Sequence, residues 1–136
     1  MAGKLSNASL FKSLSADGID EVDRLSTDVE VATGYVLARE GSIGREFGVI
    51  LEGTASVSID GVEVATLREG DHYGEVALMA ELGQGFRRSA TVVATSKMTI
   101  AVMSISEFST FLSEFPTIAA RLKTEAKSRL DANENR

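Results

Sequence analysis

The hydrophobic and polar positions of residues 1–28 follow a helical period. Ser15 is a residue type that caps the free amides of a helix start, and Asp17 and Asp20 suit the positive end of the helix dipole. Apolar residues follow at spacings that put them on one helical face. The pattern predicts a short amphipathic helix that begins at Ser15 and packs beside an apolar lead-in. The face consists of Ile19, Val22 and Leu25, and the lead-in of Leu10, Phe11 and Leu14.

Residues 29–104 consist of short runs rich in Val, Ile and Thr, separated by glycines, which is typical of β-strands. From Thr54 to Ile59 apolar and polar residues alternate, so this strand is expected to have one buried and one exposed face. Asp60-Gly61 follows directly and predicts a type I′ hairpin whose returning strand is Val62–Leu67. Short antiparallel strands with regular turns predict a jelly-roll-like β-roll of about eight strands. The other predicted strands are Val29–Ala32, Tyr35–Arg39, Phe47–Glu52, Ser89–Ala94 and Met98–Met103.

After residue 104 the pattern becomes helical again. Ser106 is placed to cap a helix that runs through Glu114. Pro116 lacks an amide hydrogen, so it ends this helix and suits the first position of a new one. Apolar residues then recur at every fourth position as a narrow stripe. The first helix is predicted to bury Phe108, Phe111, Leu112 and Phe115, and the stripe of the second is Ile118, Leu122, Ala126 and Leu130.

A length of 136 residues with 43% apolar composition fits one domain. The expected fold class is mainly β, a jelly-roll-like β-roll with flanking N- and C-terminal helices. We expect the single domain 1–136 to consist of an N-terminal helical segment at 1–28, a β-roll at 29–104 and C-terminal helices at 105–132.

Charge and cysteine content narrow the classes of function. Lys and Arg number 14 against 20 Asp and Glu, and the formal charge of −6 argues against direct nucleic-acid binding, which needs many cationic contacts. The absence of cysteine excludes disulfides and thiolate metal sites, and it permits a cytoplasmic location, which we expect. The N-terminus lacks the apolar centre of a signal peptide, and no apolar run reaches membrane-spanning length, so we expect no membrane partner.

The segment of residues 73–94 breaks the β pattern and carries the candidate chemistry. Gly74 allows the backbone to approach a bound anion closely, and successive amides from Glu75 onward, at a helix start, provide donors to a phosphate. Arg88 adds a bidentate charge-assisted contact. Glu75 is an acceptor-only group when ionised, so it suits a sugar hydroxyl better than the phosphate. The segment therefore combines donors for a phosphate with an acceptor for a sugar.

These residues resemble the phosphate-binding cassette of cyclic-nucleotide-binding domains, which occur in catabolite-activator-type regulators, kinase regulatory subunits and nucleotide-gated channels. The family pattern is an aromatic residue, Gly-Glu, two small apolar residues, a short helix, and then Arg, a small residue, Ala and Thr. The matching residues are Tyr73, Gly74, Glu75, Val76 and Ala77, followed by Arg88, Ser89, Ala90 and Thr91.

The resemblance implies a domain that binds cyclic AMP or cyclic GMP as its ligand without transforming it, with no catalytic residue, cofactor or metal. By this resemblance Glu75 takes the ribose 2′-hydroxyl, Arg88 and the cassette amides take the cyclic phosphate, and Ser89 lies near phosphate and base. A threonine after the arginine is often linked to cyclic GMP in the family, so Ser89 favours cyclic AMP. The resemblance also implies that ligand binding rearranges the last helix, which serves a homodimer or a regulated partner protein. Tyr73 is an additional candidate contact.

The stretch between Glu75 and Arg88 departs from the family pattern. It contains twelve residues, more than the typical cassette, and the extra length includes Gly83-Gln84-Gly85-Phe86. The position before the arginine, often proline in the family, is Arg87. Two consequences stay open at this point: the longer stretch repositions Arg88, or it adds Arg87 as a second cation.

Two other classes of protein fit parts of the sequence. An interaction or dimerisation module of the same fold with a degenerate pocket would act through the C-terminal helix, and the long stretch before Arg88 favours it. The intact Gly-Glu and Arg-Ser-Ala-Thr argue against it. A cupin-like metalloenzyme shares the jelly-roll shape but needs several histidines on a metal. The chain has only His72, which we interpret as a strand residue beside the pocket.

Overall fold

Two antiparallel sheets of four strands make up the β-roll of this protein. The structure is a computed structural model that describes residues 5–74 and 87–134. The strands are β1 (Thr27–Val31), β2 (Val36–Ala38), β3 (Glu46–Glu52), β4 (Ala55–Ile59), β5 (Val62–Leu67), β6 (His72–Tyr73), β7 (Thr91–Ala94) and β8 (Met98–Ser104). Sheet A has the strand order β1-β8-β3-β6, and sheet B has the order β2-β7-β4-β5. The described residues therefore confirm the predicted mainly β fold with eight strands.

The hairpin between β4 and β5 forms where the turn chemistry predicts it. Asp60 and Gly61 have φ values of 52° and 80°, and Ile59 pairs with Val62 on either side of them. Two consecutive positive φ angles are the property of a type I′ turn. The predicted alternation along β4 is weaker than expected, because only Ala55 is fully buried and the other four residues are half-buried.

In residues 5–74 and 87–134, three α-helices and one 3₁₀ turn flank the β-roll. The 3₁₀ turn is Ser9–Phe11, and the helices are α1 (Ala16–Leu25), α2 (Ile105–Glu114) and α3 (Pro116–Glu134). Ser15 caps α1 as predicted, since its Oγ accepts a hydrogen bond from the amide of Gly18 at 3.2 Å. Within the described ranges, no helix has both the length and the apolar character that crossing a bilayer requires.

The start of α2 corrects one prediction. Ser104 Oγ accepts a hydrogen bond from the amide of Glu107 at 3.2 Å, and Glu107 Oε1 accepts one from the amide of Ser104 at 2.8 Å. This reciprocal pair is a capping box, and it satisfies two amides that a helix start leaves without a partner. The prediction of Ser106 as the cap is wrong, because Ser106 lies inside the first turn.

Strand β3 lies between two hydrophobic cores and contributes to both. Phe47 and Val49 face an outer core between sheet A and the helices, whereas Ile50 faces an inner core between the two sheets. Side chains of a strand alternate between the two faces of the sheet, so one strand can serve both cores. Helix α3 packs its stripe into the outer core of its own chain through Ile118, Leu122 and Ala126.

Candidate functional site

Strand β6 carries Tyr73 into the inner core, against β3. The side chain of Tyr73 is 4% exposed, and its ring lies directly over the backbone of Gly48. A β-carbon at Gly48 would collide with Tyr73 Cε1 and would lie 2.7 Å from the Tyr73 hydroxyl oxygen. Only a glycine at position 48 therefore leaves space for the ring.

The environment of Tyr73 holds its hydroxyl in the neutral form. Burial raises the pKa of Tyr73 well above its ordinary value, and the negative charge of Glu46 raises this pKa further. The positive charge of Arg88 acts in the opposite direction but is the smaller effect. A neutral phenol, a carboxylate and a guanidinium thus lie close together at this end of the β-roll.

Gly74 follows β6 and has a φ of 96°, in the left-handed region that disfavours residues with a β-carbon. It also lies very close to two other groups. A β-carbon here would lie 2.5 Å from the carbonyl oxygen of Glu46 and 2.8 Å from Arg88 Nη1. Both the backbone conformation and the close approach of Arg88 therefore require glycine.

Arg88 is buried although it is charged, with only 8% of its surface exposed. Its Nη2 donates a hydrogen bond to the carbonyl oxygen of Glu46 at 3.0 Å. Its main chain is fixed as well, because its amide donates to the carbonyl of Ser42 at 2.7 Å and its carbonyl accepts from the amide of Gly41 at 2.9 Å. Arg88 is thus positioned by β3 and by the turn after β2, and the long stretch before it does not separate it from Gly74.

Arg87 has a different environment from Arg88. It is exposed, it forms an isolated β-bridge with Ile43, and its Nη1 donates a hydrogen bond to the carbonyl oxygen of Gly41 at 2.6 Å. Its guanidinium therefore contacts the turn of residues 41–43.

Ser89 and Ala90 form a half-buried bend between Arg88 and β7. Thr91 begins β7, and its Oγ1 accepts a hydrogen bond from the amide of Glu40 at 3.0 Å. This bond adds a further connection between the arginine segment and the turn after β2. Glu75, Val76 and Ala77, the remaining predicted ligand contacts, lie outside the described residues.

A cleft of about 340 Å³ opens beside Arg88. Its walls come from β2, from the turn that follows β2 and from the first residue of β3, and they combine apolar and charged side chains. The lining residues are Val36, Leu37, Ala38, Arg39, Ser42, Ile43, Arg45, Glu46 and Arg88. Three arginines and one glutamate line the cleft, so its lining carries an excess of positive charge although the chain as a whole is acidic.

His72 is a strand residue, as predicted, and 8% of its surface is exposed. It faces the outer core, where its ring centroid lies 5.7 Å from that of Phe47, and it does not line the cleft. Among residues 5–74 and 87–134, no three His, Asp or Glu side chains form a group that could hold a metal ion.

Glu46 and Gly48 also belong to this site, although neither matches a motif in the sequence. The carbonyl of Glu46 positions Arg88, and Gly48 makes space for Tyr73. A glycine inside a strand often marks the close approach of another group, so the sequence could have indicated a contact at Gly48. The sequence could not have indicated the role of the Glu46 carbonyl, because every residue has a backbone carbonyl group.

Comparisons with known proteins show the family to which the chain belongs. The family model for the cyclic nucleotide-binding domain matches residues 28–115. Because this match covers more than half of the chain, the protein belongs to the cyclic nucleotide-binding domain family. The described residues of this match include the strands of the two sheets and α2, together with the described part of the candidate site.

Two curated relatives illustrate the range of the family. The chain is 40% identical over 110 residues to the cAMP-dependent protein kinase regulatory subunit of Eremothecium gossypii, a match that covers 79% of this chain and 23% of that protein. It is 33% identical over 97 residues to the potassium/sodium hyperpolarization-activated cyclic nucleotide-gated channel 3 of Homo sapiens, covering 71% of this chain and 12% of the channel. The chain thus spans less than a quarter of the length of either relative.

Solved structures share the fold. One, described as Sp-2Cl-cAMPS bound to PKAR CBD2, has a TM-score of 0.80 and 23% sequence identity, and the match covers 95% of this chain and 86% of that one. Another, a cAMP-bound PfPKA-R, has the same TM-score and identity and covers 96% of this chain and 45% of its own. At this identity the likeness shows the β-roll fold.

Proposed function

We propose that this domain binds a cyclic nucleotide, cyclic AMP in preference to cyclic GMP, and does not transform it. The position of Arg88 carries the proposal. Arg88 is buried, its guanidinium donates a hydrogen bond to the carbonyl of Glu46, and the residue lines a cleft of about 340 Å³. A guanidinium held in this way forms strong charge-assisted hydrogen bonds with a phosphate. Two relatives whose names refer to cAMP and to cyclic nucleotides support the same class of ligand.

The residues around the cleft have distinct roles in this proposal. Arg88 and the amides that follow Gly74, including those of Val76 and Ala77, bind the cyclic phosphate. Glu75 accepts a hydrogen bond from the ribose 2′-hydroxyl. Ser89 and Ala90 lie beside the phosphate and the base, and their half-buried bend next to Arg88 supports this role.

Arg87 and Tyr73 are positioning residues in this proposal. The hydrogen bond from Arg87 to Gly41 holds the turn that contributes Ser42 and Ile43 to the cleft. The ring of Tyr73 packs over the backbone of Gly48, and Arg88 is near enough to Tyr73 for their charges to interact. Neither residue needs to touch the ligand to affect its binding.

The size and lining of the cleft support a small ligand. Ligand sites typically enclose about 300–1,000 Å³, and this cleft lies at the lower end of that range. Apolar side chains of Val36, Ala38 and Ile43 provide a surface for the sugar and base. Regulation in this proposal is conformational: the bound nucleotide shifts α3, which acts on a homodimer partner or on a regulated protein.

Isothermal titration calorimetry with cyclic AMP, cyclic GMP and linear 5′-AMP tests the proposal. We expect heat with the cyclic nucleotides, tighter binding of cyclic AMP than of cyclic GMP, and little binding of 5′-AMP. Arg88→Ala is expected to weaken binding about 10- to 150-fold, because a hydrogen bond to a charged group contributes about 1.5–3 kcal/mol. Arg68→Ala is the matched control, since Arg68 is exposed and does not line the cleft.

Two results would contradict the proposal. If the folded wild-type chain binds neither cyclic nucleotide, the pocket is degenerate and the chain is an interaction module of the same fold. If Arg88→Ala and Arg68→Ala bind cyclic AMP equally well, the phosphate contact lies elsewhere. Circular dichroism of each variant confirms that the chain is folded before it is titrated.

A further inference from the structure

The two residues of β6 face opposite sides of sheet A. Tyr73 belongs to the inner core, next to Gly48 and Arg88, whereas His72 lies against Phe47 of the outer core. In the described part of the chain, two register pairs join β6 to β3, Gly48 with Tyr73 and Val49 with His72. The two residues are consecutive in one short strand. If a ligand in the cleft moves Tyr73, His72 therefore moves with it.

His72 in turn contacts helix α3. Its Nε2 lies 3.2 Å from Glu125 Oε1, and the two side chains are 9% and 33% exposed. A hydrogen bond or ion pair to a carboxylate that is partly shielded from water is stronger than one on an open surface. Glu125 is also the only acidic residue between residues 116 and 130, so no neighbour on the helix replaces it.

Helix α3 lies away from the cleft while this contact exists. None of the nine described residues that line the cleft belongs to α3. Its apolar residues Ile118 and Leu122 are instead buried in the outer core. A position of α3 over a bound nucleotide is therefore a different position, and reaching it requires Glu125 to leave His72.

We propose that the contact between His72 and Glu125 is an autoinhibitory latch, which holds α3 against sheet A and lowers the affinity of the cleft for its nucleotide. This inference rests on the proposed function and names the device that regulates it. The contact exists when α3 lies away from the cleft and is broken when α3 covers the nucleotide. Binding that moves α3 must therefore break the contact, and the free energy of the contact is subtracted from that of binding. The latch connects to the site through the shared strand, because His72 and Tyr73 are consecutive.

The first test is a double-mutant cycle on the Kd of cyclic AMP in the full chain. Glu125→Gln and His72→Gln are each expected to tighten binding about two- to fivefold, which is the range for ion pairs near a protein surface. The double variant is expected to bind no more tightly than either single variant, because both substitutions remove one contact. Glu114→Gln, the same substitution at an exposed position of α2, is expected to leave the Kd unchanged.

The cycle has outcomes that overturn the latch. Unchanged or weaker binding in both single variants shows that the contact does not oppose the ligand. Additive effects of the two substitutions show that His72 and Glu125 act separately. If a variant is too unstable to titrate, the distance measurement described next tests the latch instead.

The second test measures the position of α3 directly. The chain contains no cysteine, so Thr66→Cys and Lys123→Cys introduce two exposed spin labels, one on β5 and one on α3. We expect cyclic AMP to change the distance between the labels in the otherwise wild-type chain. Adding Glu125→Gln is expected to populate the changed distance without any nucleotide, and an unchanged distance distribution would overturn the latch.

The two proposals fail in different ways. If wild type binds no cyclic nucleotide, the proposed function is wrong, while the effect of Glu125→Gln on the distance without nucleotide still reports on the latch. If wild type binds cyclic AMP and Glu125→Gln changes neither the Kd nor the distance, the latch is wrong and the proposed function stands.

Discussion

Gly74 and Arg88 are fourteen positions apart in sequence, yet the position of each depends on the other. A β-carbon on Gly74 would lie 2.8 Å from Arg88 Nη1, and the carbonyl oxygen of Glu46 would be even closer to it. The guanidinium can reach that carbonyl only because residue 74 has no side chain. Gly74 thus has a structural role, because its missing side chain leaves space for the guanidinium of Arg88.

Gly74→Ala tests this relationship. We expect the alanine to displace Arg88 and weaken cyclic AMP binding about tenfold or more, as the loss of a charge-assisted contact would. Gly34→Ala is the matched control, because Gly34 has a similar φ of 92° and no atom near the added β-carbon. The left-handed backbone should cost both variants about 1–2 kcal/mol of stability. Gly74→Ala should lose more than Gly34→Ala, because its β-carbon also collides with the carbonyl oxygen of Glu46, and only Gly74→Ala should change the Kd. Equal Kd values for the two variants would show that the close approach is unimportant.

Gly48→Ala is expected to destabilise the fold by about 1–3 kcal/mol, the usual cost of overpacking a core, because the β-carbon collides with the Tyr73 ring. Urea unfolding measures the loss. Adding Tyr73→Leu should recover part of it, since the smaller side chain leaves space for the alanine. If Gly48→Ala destabilises the Tyr73→Leu variant as much as it destabilises the native chain, the collision is not the cause.

Stability is expected to fall at alkaline pH because of Tyr73. The pKa of its hydroxyl is raised in the folded state, so below a pH of about 10 the phenol is neutral in both the folded and the unfolded chain. Above that pH the unfolded chain releases the proton and the folded chain retains it, so the free energy of unfolding decreases by up to about 1.4 kcal/mol per pH unit. Denaturant unfolding between pH 9 and 11, on the order of one pH unit either side of the ordinary tyrosine value, should show a smaller decrease for Tyr73→Phe. Tyr35→Phe is the control, since Tyr35 is 56% exposed, and it should retain the full decrease.

The capping box at the start of α2 predicts different effects for two serines. Ser104→Ala is expected to cost about 1 kcal/mol of stability, because it removes the acceptor for the amide of Glu107. Ser106→Ala is expected to change stability by less than about 0.5 kcal/mol, as surface substitutions usually do. Thermal unfolding of both variants checks the comparison, and a larger loss for Ser106→Ala would contradict the assigned cap.

The features that sequence analysis predicted well depend on neighbouring residues. Asp60-Gly61 specifies its hairpin through the φ preferences of two adjacent residues, and Ser15 caps α1 through an amide three residues away. The error at Ser106 was avoidable in principle, because Ser104 and Glu107 have the spacing of a capping box.

The features that sequence analysis missed depend on residues far apart in the chain. The collision that excludes a side chain at Gly48 involves Tyr73, and the proposed latch joins His72 to Glu125. Periodicity reports which face of an element is buried, but it does not report which residue of another element lies opposite. The burial of Arg88 is a further example, since its partners include main-chain groups of residues 41, 42 and 46.

The short length of β6 has a consequence for how this domain can diversify. Of the two side chains of this strand, Tyr73 faces the candidate site and His72 contacts α3. Neither His72 nor Glu125 lines the cleft. Under the proposed latch, substitutions at these two positions adjust the nucleotide concentration at which the domain responds and leave its choice of nucleotide unchanged. Sensitivity and selectivity are then separate traits, which mutation and selection can alter independently.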